Sequence, residues 1–293
     1  MVAEAPPSRS TATTTPKVSG TRAIDRALDV LACFTRGDGD RGIAEIAQET
    51  GLATSTAHRI ARSLVGRGYL QQQDSPSGRY RLGPSSVVLG RVAQRSLGLD
   101  EAIPILRELA ELTGATVNLG IRHASRVVVL AHIASQHPLR FEQPVGTEVA
   151  LHASAMGKCC LAHPGGTLQA PSGPLDALTP ATIVDADRLE AEVAEVRDRG
   201  YSTDLEESVV GVRCVGAPIL RGQGRAVAAV AVQAPAVRLP SERIPELAEA
   251  VTDAARRIEF ALEASGPVAA EHPPPNARTN VRTGSVKEAD GYG

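Results

Sequence analysis

The chain has 293 residues, more than a single hydrophobic core ordinarily organises, so a small domain plus a larger one is expected. Its net charge of -2 hides an asymmetry: residues 17–97 carry 12 Lys+Arg against 7 Asp+Glu, whereas residues 98–266 carry 15 against 22. A basic N-terminal unit suits phosphate contacts and an acidic remainder does not, while an aromatic fraction of 2% with no Trp argues against a base-stacking surface for single strands.

The opening MVAEAPPSRSTATTTPK has no apolar signal core, and its composition predicts a disordered tail over residues 1–16. Three short helical patterns then follow. Ile24, Ala27, Leu28, Leu31 and Phe34 recur at helical spacing, and Ile43, Ile46 and Ala47 repeat the pattern more briefly before Gly51 turns the chain. In the third helix Ala57, Ile60, Ala61 and Leu64 form the apolar stripe, which leaves Ser55, His58, Arg59 and Arg62 together on the opposite face. Thr54, Ser55 and Thr56 at its start suit phosphate or base-edge contacts, and the Arg59 guanidinium can pair with guanine through two hydrogen bonds. In YLQQQDSPSGRYRLG, Pro76-Ser77-Gly78 reads as a turn, and strand alternation sets Arg79 and Arg81 opposite Tyr80 and Leu82, facing phosphates or the minor groove. Residues 17–83 thus read as a winged helix-turn-helix whose expected partner is duplex DNA. A solvated or protein-docking helix face is the blander reading of the same polar side chains, and the adjoining basic hairpin is what favours DNA.

Pro84 to Leu97 reads as a helix inside a linker spanning 84–98, with Val87, Val88, Leu89, Val92 and Ala93 on one face. Residues 99–266 form the larger domain. A helix over Leu99 to Leu112 turns Ile103, Leu106, Leu109 and Ala110 inward and stops at Gly114; TVNLGIR and RVVVLAHIA then make a hairpin. A helix over Asp187 to Arg199 buries Leu189, Val193 and Val196, strands lie around Tyr201 to Leu205, Val212 to Ile219 and Ala226 to Val232, and a last helix buries Ile244, Leu247, Ala248, Val251, Ala255, Ile258 and Leu262. This order predicts an α+β fold, an antiparallel sheet covered by helices. Residues 267–293, with EHPPPNARTNVRTGS, are expected to be a second disordered tail.

The order of motifs resembles the IclR family of bacterial transcription regulators, in RAIDRALDVLACF, EIAQETGLATSTAHRIARSLVGRGYL and GRYRLGP, and again in LHASAMGKCCLA, RDRGYSTDLEESVVGVRCVGAPI and VAAVAVQAP. The resemblance implies a linker helix that helps dimerise the DNA-binding parts and an effector domain similar to GAF and profilin-like sensors. It further implies a homodimer or homotetramer on a pseudo-palindromic operator, controlled as repressor or activator by a small molecule. For the effector site it implies Ala155, Met156, Asp204, Val212 and Cys214, as backbone donors, a polar partner, an apolar wall and a thiol. The residues themselves add Ser154, which can cap a helix whose free N–H groups suit a carboxylate, so an organic acid is the expected ligand. Members of the family that bind small 2-oxo acids tend to have hydroxyl side chains on the late strand, where this chain has Ala231 and Gln233. That departure points to a larger or more apolar acid.

Other chemistries find little support. Cys33, Cys159, Cys160 and Cys214 make neither a CxxC pair nor a metal-finger spacing, and they read as reduced thiols of a cytoplasmic protein. His123, His132 and His152 add no ligand spacing, so no metal or cofactor is expected. Cys214 and His152 could be imagined as nucleophile and base, but no orienting residue accompanies them and an enzyme is not the expected reading. Glu206 and Glu207, if on a strand, would point to opposite faces, one of them pinning the sheet to a loop with Arg213 as candidate partner. No apolar run is long enough to span a bilayer, and no membrane partner is expected.

Overall fold

The computed structural model describes residues 3–4, 21–35, 39–73, 78–164 and 173–264. The predicted C-terminal tail, the Pro76-Ser77 turn and all of the predicted N-terminal tail except Ala3–Glu4 lie outside these residues. Ala3–Glu4 (β1) runs parallel to Phe141–Glu142 (β6).

Three helices open the first domain: α1 (Arg22–Ala32), α2 (Ile43–Thr50) and α3 (Thr54–Gly66). Its core gathers Val30, Phe34, Ile46, Ala57, Ala61 and Leu64 with Leu70 and Tyr80 of the hairpin β2 (Leu70–Gln72) and β3 (Tyr80–Leu82). Gly51 ends α2 at φ 65°, which lets the chain reverse into α3 without the steric cost that a side chain would meet there. The predicted α1 stripe is only partly inward: Phe34 is buried, but Ile24 and Leu28 stay 61% and 60% exposed. The helix is rotated so that Val30, rather than those two, meets α2 and α3.

Pro84 starts α4 (Pro84–Ser96) at a position where its missing N–H costs nothing. None of the residues of α4 is buried, and Val87, Val88, Leu89 and Val92 are 58–72% exposed. Gly98, at φ 70°, then turns the chain into α5 (Leu99–Thr113), so closely under α8 (Ile244–Ala264) that a Cβ on it would lie 2.0 Å from the Leu262 side chain.

The second domain is built on an antiparallel six-stranded sheet, ordered β7 (Glu148–Ala150), β5 (Arg126–Ile133), β4 (Thr116–His123), β10 (Arg225–Pro235), β9 (Val212–Arg221), β8 (Ser202–Leu205). Long-range pairing of β10 with β4 joins the two halves of the sheet. Alternation sorts the strands: Val117, Leu119, Val215, Ala217, Ile219, Val230 and Val232 face α5 and α8 in the main core. The opposite face carries α6 (Ala155–Ala162), with α7 (Ala186–Arg199) packed on it. The short strands β6 and β7 were not foreseen, because two or three residues give no readable alternation. Glu206 and Glu207 are not on a strand: β8 ends at Leu205 and Glu206 takes a left-handed φ of 68°, so the strand argument does not apply to them.

Candidate functional site

On α3 the sequence-predicted polar face is open. Thr54, Ser55, His58, Arg59 and Arg62 are exposed and Thr56 is half-buried. Arg59 and Arg62 make no ion pair among the described residues, so their guanidinium groups are available. Arg81 on the wing is exposed and donates to the Gln71 side-chain oxygen at 3.4 Å. Arg79 has a different occupation from the one expected of it. Its guanidinium donates to Glu45 Oε2 at 2.8 Å, to Asp40 Oδ2 at 3.3 Å and to the Asp40 carbonyl at 2.9 Å. It lies just before β3, outside the strand alternation that was to aim it at phosphate. The wing is thereby tied to α2, and a two-way backbone bridge between Arg41 and Tyr80 (2.9 and 2.8 Å) reinforces the tie. The Gly42 N–H and then Arg79 hold the Glu45 carboxyl below its ordinary range.

In the second domain the eight predicted effector residues gather on the α6 face of the sheet. One cross-strand row runs Asp204, Cys214, Gln233, Thr116, and the next runs Ser202, Gly216, Ala231, Asn118, His132. Over them lies the start of α6. Ser154 caps it, accepting from Gly157 N at 3.1 Å and donating to Ala150 O at 2.6 Å. Small residues set the approach of this helix: a Cβ on Gly216 would sit 3.2 Å from Ala155, one on Gly120 3.3 Å from Met156 Sδ, and one on Gly157 2.4 Å from Leu151 O. The N–H groups of Ala155 and Met156, in the first turn, have no intrahelical acceptor.

Asp204 is fully buried and accepts from the N–H groups of Glu207 (2.7 Å) and Ser208 (3.2 Å) and from the Ser208 hydroxyl. Burial outweighs these bonds and pushes its carboxyl up to about 6. Cys214, deeply buried beside Asp204, has its thiol pushed well above the ordinary range, chiefly by loss of solvent, and stays protonated at neutral pH. His152 Nε2 instead meets the Asp176 carbonyl at 3.0 Å, so the imagined nucleophile–base pair is not formed. Val212 and Cys214 pack with Ala155, and Ala231 packs with Met156.

Three groups in or beside this site escaped the sequence reading. Lys158 is 1% exposed, with Nζ 2.7 Å from Glu207 and 3.4 Å from Glu192; a Lys inside the apolar string AMGKCCLA was the available hint of a buried ion pair. Glu206 goes the other way, to Arg213 at 3.3 Å, the partner foreseen for one of the two glutamates. Asn118 donates to Gln233 Oε1 at 2.7 Å and to Gln143 Oε1 at 3.3 Å, and its oxygen faces His132 Nδ1 at 2.8 Å. His132 Nε2 in turn meets Glu142 at 2.7 Å, and Arg140 with His132 holds that carboxyl below its usual range. No pattern in the sequence joins residues 118, 132, 142 and 233: the register of β4, β5 and β10 brings 118, 132 and 233 together, and β6 lays 142 beside them. The third group is Phe141, packed against Ala155, Val212 and Cys214. Among the described residues no cluster of His, Cys, Asp or Glu is placed to hold a metal ion, and no helix is long and apolar enough to cross a membrane.

A winged helix-turn-helix joined through a helix to a sensor-like antiparallel sheet defines the class of transcription regulators with an effector domain. Residues 23–74 match the IclR helix-turn-helix domain and residues 94–260 match the bacterial transcriptional regulator IclR C-terminal domain, so the chain belongs to the IclR family of transcriptional regulators. It is 36% identical to the HTH-type transcriptional regulator BhcR of Paracoccus denitrificans, covering 83% of this chain and 88% of that one. It is 30% identical to the transcriptional repressor IclR of Escherichia coli, covering 85% and 92%. Among solved structures, IclR of Thermotoga maritima aligns with TM-score 0.65 at 26% identity over 82% of this chain and 98% of that one. An IclR homologue of Microbacterium hydrocarbonoxydans, solved in complex with 4-hydroxybenzoate, shares the fold with TM-score 0.71 at 23% identity, covering 83% and 99%.

Proposed function

We propose that this regulator binds a pseudo-palindromic DNA operator as a dimer or a pair of dimers, and that an organic acid held under α6 alters its DNA affinity. Base edges are read by His58, Arg59 and Arg62, phosphates are met by Thr54, Ser55, Thr56 and Arg81, and Arg79 fixes the wing rather than gripping DNA. The observation that carries this reading is the state of the cations on α3 and the wing: Arg59 and Arg62 of α3 are exposed and unpaired among the described residues and Arg81 of the wing is exposed, whereas Arg79 at the wing is held by Asp40 and Glu45.

Dimerisation is supported by Ile24 and Leu28 on α1 and by Val87, Val88, Leu89 and Val92 on α4, large apolar side chains left in water by one copy of the chain. Paired recognition helices would then meet half-sites on one face of the duplex. The acid site would comprise Ser154, Ala155, Met156, Asp204, Val212, Cys214, Ala231 and Gln233. The acid acts by population shift: it changes DNA affinity only to the extent that it binds two arrangements of the domains unequally. That the fold accommodates an aromatic acid in the Microbacterium protein is a fold-level analogy in the same direction.

The test selects operator fragments with the full-length protein, then measures mass and operator affinity for wild type and for Val88→Glu/Leu89→Glu. The double variant should sediment as a smaller species and lose operator affinity. A wild type that binds its full operator as a stable monomer, or shows no sequence preference among duplexes at fixed salt, sinks the reading.

A further inference from the structure

We infer that Phe141 is an internal plug in the effector site and that the natural effector is an acid with a ring, or a ring-sized apolar body, that takes the place of the phenyl group. The inference rests on the proposed acid site under α6 and adds to it the size and character of the ligand. Phe141 is 5% exposed and shares one buried apolar cluster with Ala155, Val212 and Cys214, against which Val209 packs. Ala155, Val212 and Cys214 are three positions at which the family resemblance puts the effector. A side chain of the protein itself therefore occupies the space where a ligand is expected.

How Phe141 is held matters as much as where it is. It belongs to the connection between β5 and β7, and its strand β6 is not part of the six-stranded sheet. β6 pairs with the two residues of β1, Ala3 beside Phe141 and Glu4 beside Glu142, and side-chain contacts fasten the strap over the six-stranded sheet: Thr116 Oγ1 donates to the Phe141 carbonyl at 3.3 Å, Asn118 donates to Gln143 at 3.3 Å, and His132 meets Glu142 at 2.7 Å. Such bonds can be exchanged for water or for ligand atoms, and the β1–β6 pairing spans two residues, whereas the β10–β9 ladder runs the length of both strands. The phenyl group can leave without the fold coming apart.

Its departure sets a condition on what replaces it. Emptying a buried phenyl-sized space costs both apolar transfer and lost contacts, and a two-carbon acid restores little of either. A ring restores most of both. Ala231, on the same face of the sheet in the next cross-strand row from Gln233 and Cys214, presents a methyl group rather than a hydroxyl, in keeping with an apolar ligand body.

Benzoate and acetate are the probes, one carboxylate with the ring and one without. In the full-length protein, Phe141→Ala should be stabilised in thermal unfolding by benzoate at concentrations at least tenfold below those that stabilise wild type, with no such gain for acetate. Equal benzoate response in the two proteins, or none in either, overturns the plug. A second measurement covers a variant that folds poorly. The sequence contains only three Phe, so incorporation of 4-fluorophenylalanine into wild type gives three fluorine signals, assigned with Phe141→Leu. Saturating benzoate should shift the signal of Phe141 and leave that of Phe34, in the DNA-binding domain, in place; a Phe141 signal that stays still while benzoate is bound overturns the inference. Gln233→Glu separates this failure from that of the underlying site, since a carboxylate at 233 repels the ligand's own. Benzoate binding lost in Gln233→Glu with a motionless Phe141 leaves the site standing and removes the plug. Benzoate binding indifferent to Gln233→Glu, with Phe141 again motionless, removes both.

Discussion

Arg79 and Glu45 are joined fork to fork, with Nη2 donating to Oε2 at 2.8 Å and Nη1 to Oε1 at 3.3 Å, which ties the wing to the second helix. The same carboxylate accepts from the Gly42 N–H at 2.7 Å, which means that the group closing the start of α2 also positions the wing.

Arg79→Ala should accordingly loosen the wing without removing a phosphate contact. Amide exchange at Arg41 and Tyr80 should accelerate, and operator affinity should fall with little change in its dependence on salt. Arg81→Ala is expected to do the reverse, reducing the salt slope by about one unit. A reduced slope for Arg79→Ala with unchanged exchange would return Arg79 to the DNA surface.

Arg59→Ala should keep the fold, since its guanidinium has no partner among the described residues, and should weaken operator binding by about 1–3 kcal/mol if it reads a base edge. Relaxed specificity should be confined to one position in each half-site. Anisotropy titrations against single-base operator variants at one salt concentration would show this, and a uniform loss across all variants would make Arg59 a phosphate contact instead.

Two carboxyl groups give the two domains opposite responses to acid. Glu45 is held below its ordinary value of 4.5 by Gly42 and Arg79, so its stabilising effect is present above that value and is lost as pH falls through the lower folded-state value. Asp204 is displaced upward by burial, from 3.8 to about 6; the folded state holds the extra proton, so its contribution is full below 3.8 and is lost as pH rises through about 6. Between these values Asp204→Asn should flatten the pH profile of effector-domain stability. A profile unchanged by Asp204→Asn would show that this carboxyl ionises normally in the folded protein.

Lys158→Ala should cost about 3–5 kcal/mol, because it strands the buried Glu207, whereas Glu192 keeps its ion pair with Arg199 at 2.9 Å. Lys158→Met combined with Glu207→Leu should recover much of that loss, since an apolar pair of similar volume avoids burying charge. Chemical denaturation of the three proteins measures both effects, and equal stability of Lys158→Ala and wild type would mean that the ion pair contributes nothing.

Much of this protein could be read from its residues in order. The helices from Ile43 to Ala264 fell close to their sequence bounds because apolar spacing is a local property that Gly51, Gly114 and Gly200 punctuate, and the long strands were visible through their β-branched runs. The open face of α3 was legible for the same reason: Ala57, Ala61 and Leu64 must point inward, and the polar residues are carried to the other side.

What spacing along the chain did not reveal is which polar groups satisfy one another across it. Arg79 was read from its nearest neighbours as a side chain facing phosphate, and the Asp40 and Glu45 that claim it lie 39 and 34 residues away. Asn118 finds Gln233 across 115 positions, Lys158 finds Glu207 across 49, and Phe141 reaches Ala155, Val212 and Cys214 from a strap too short to declare itself a strand. Periodicity decides which face of an element is apolar, but sheet register and helix packing decide what each buried polar atom or ring meets there, because those contacts exist only once the β10–β4 pairing has closed the sheet and α6 has settled on Gly120 and Gly216.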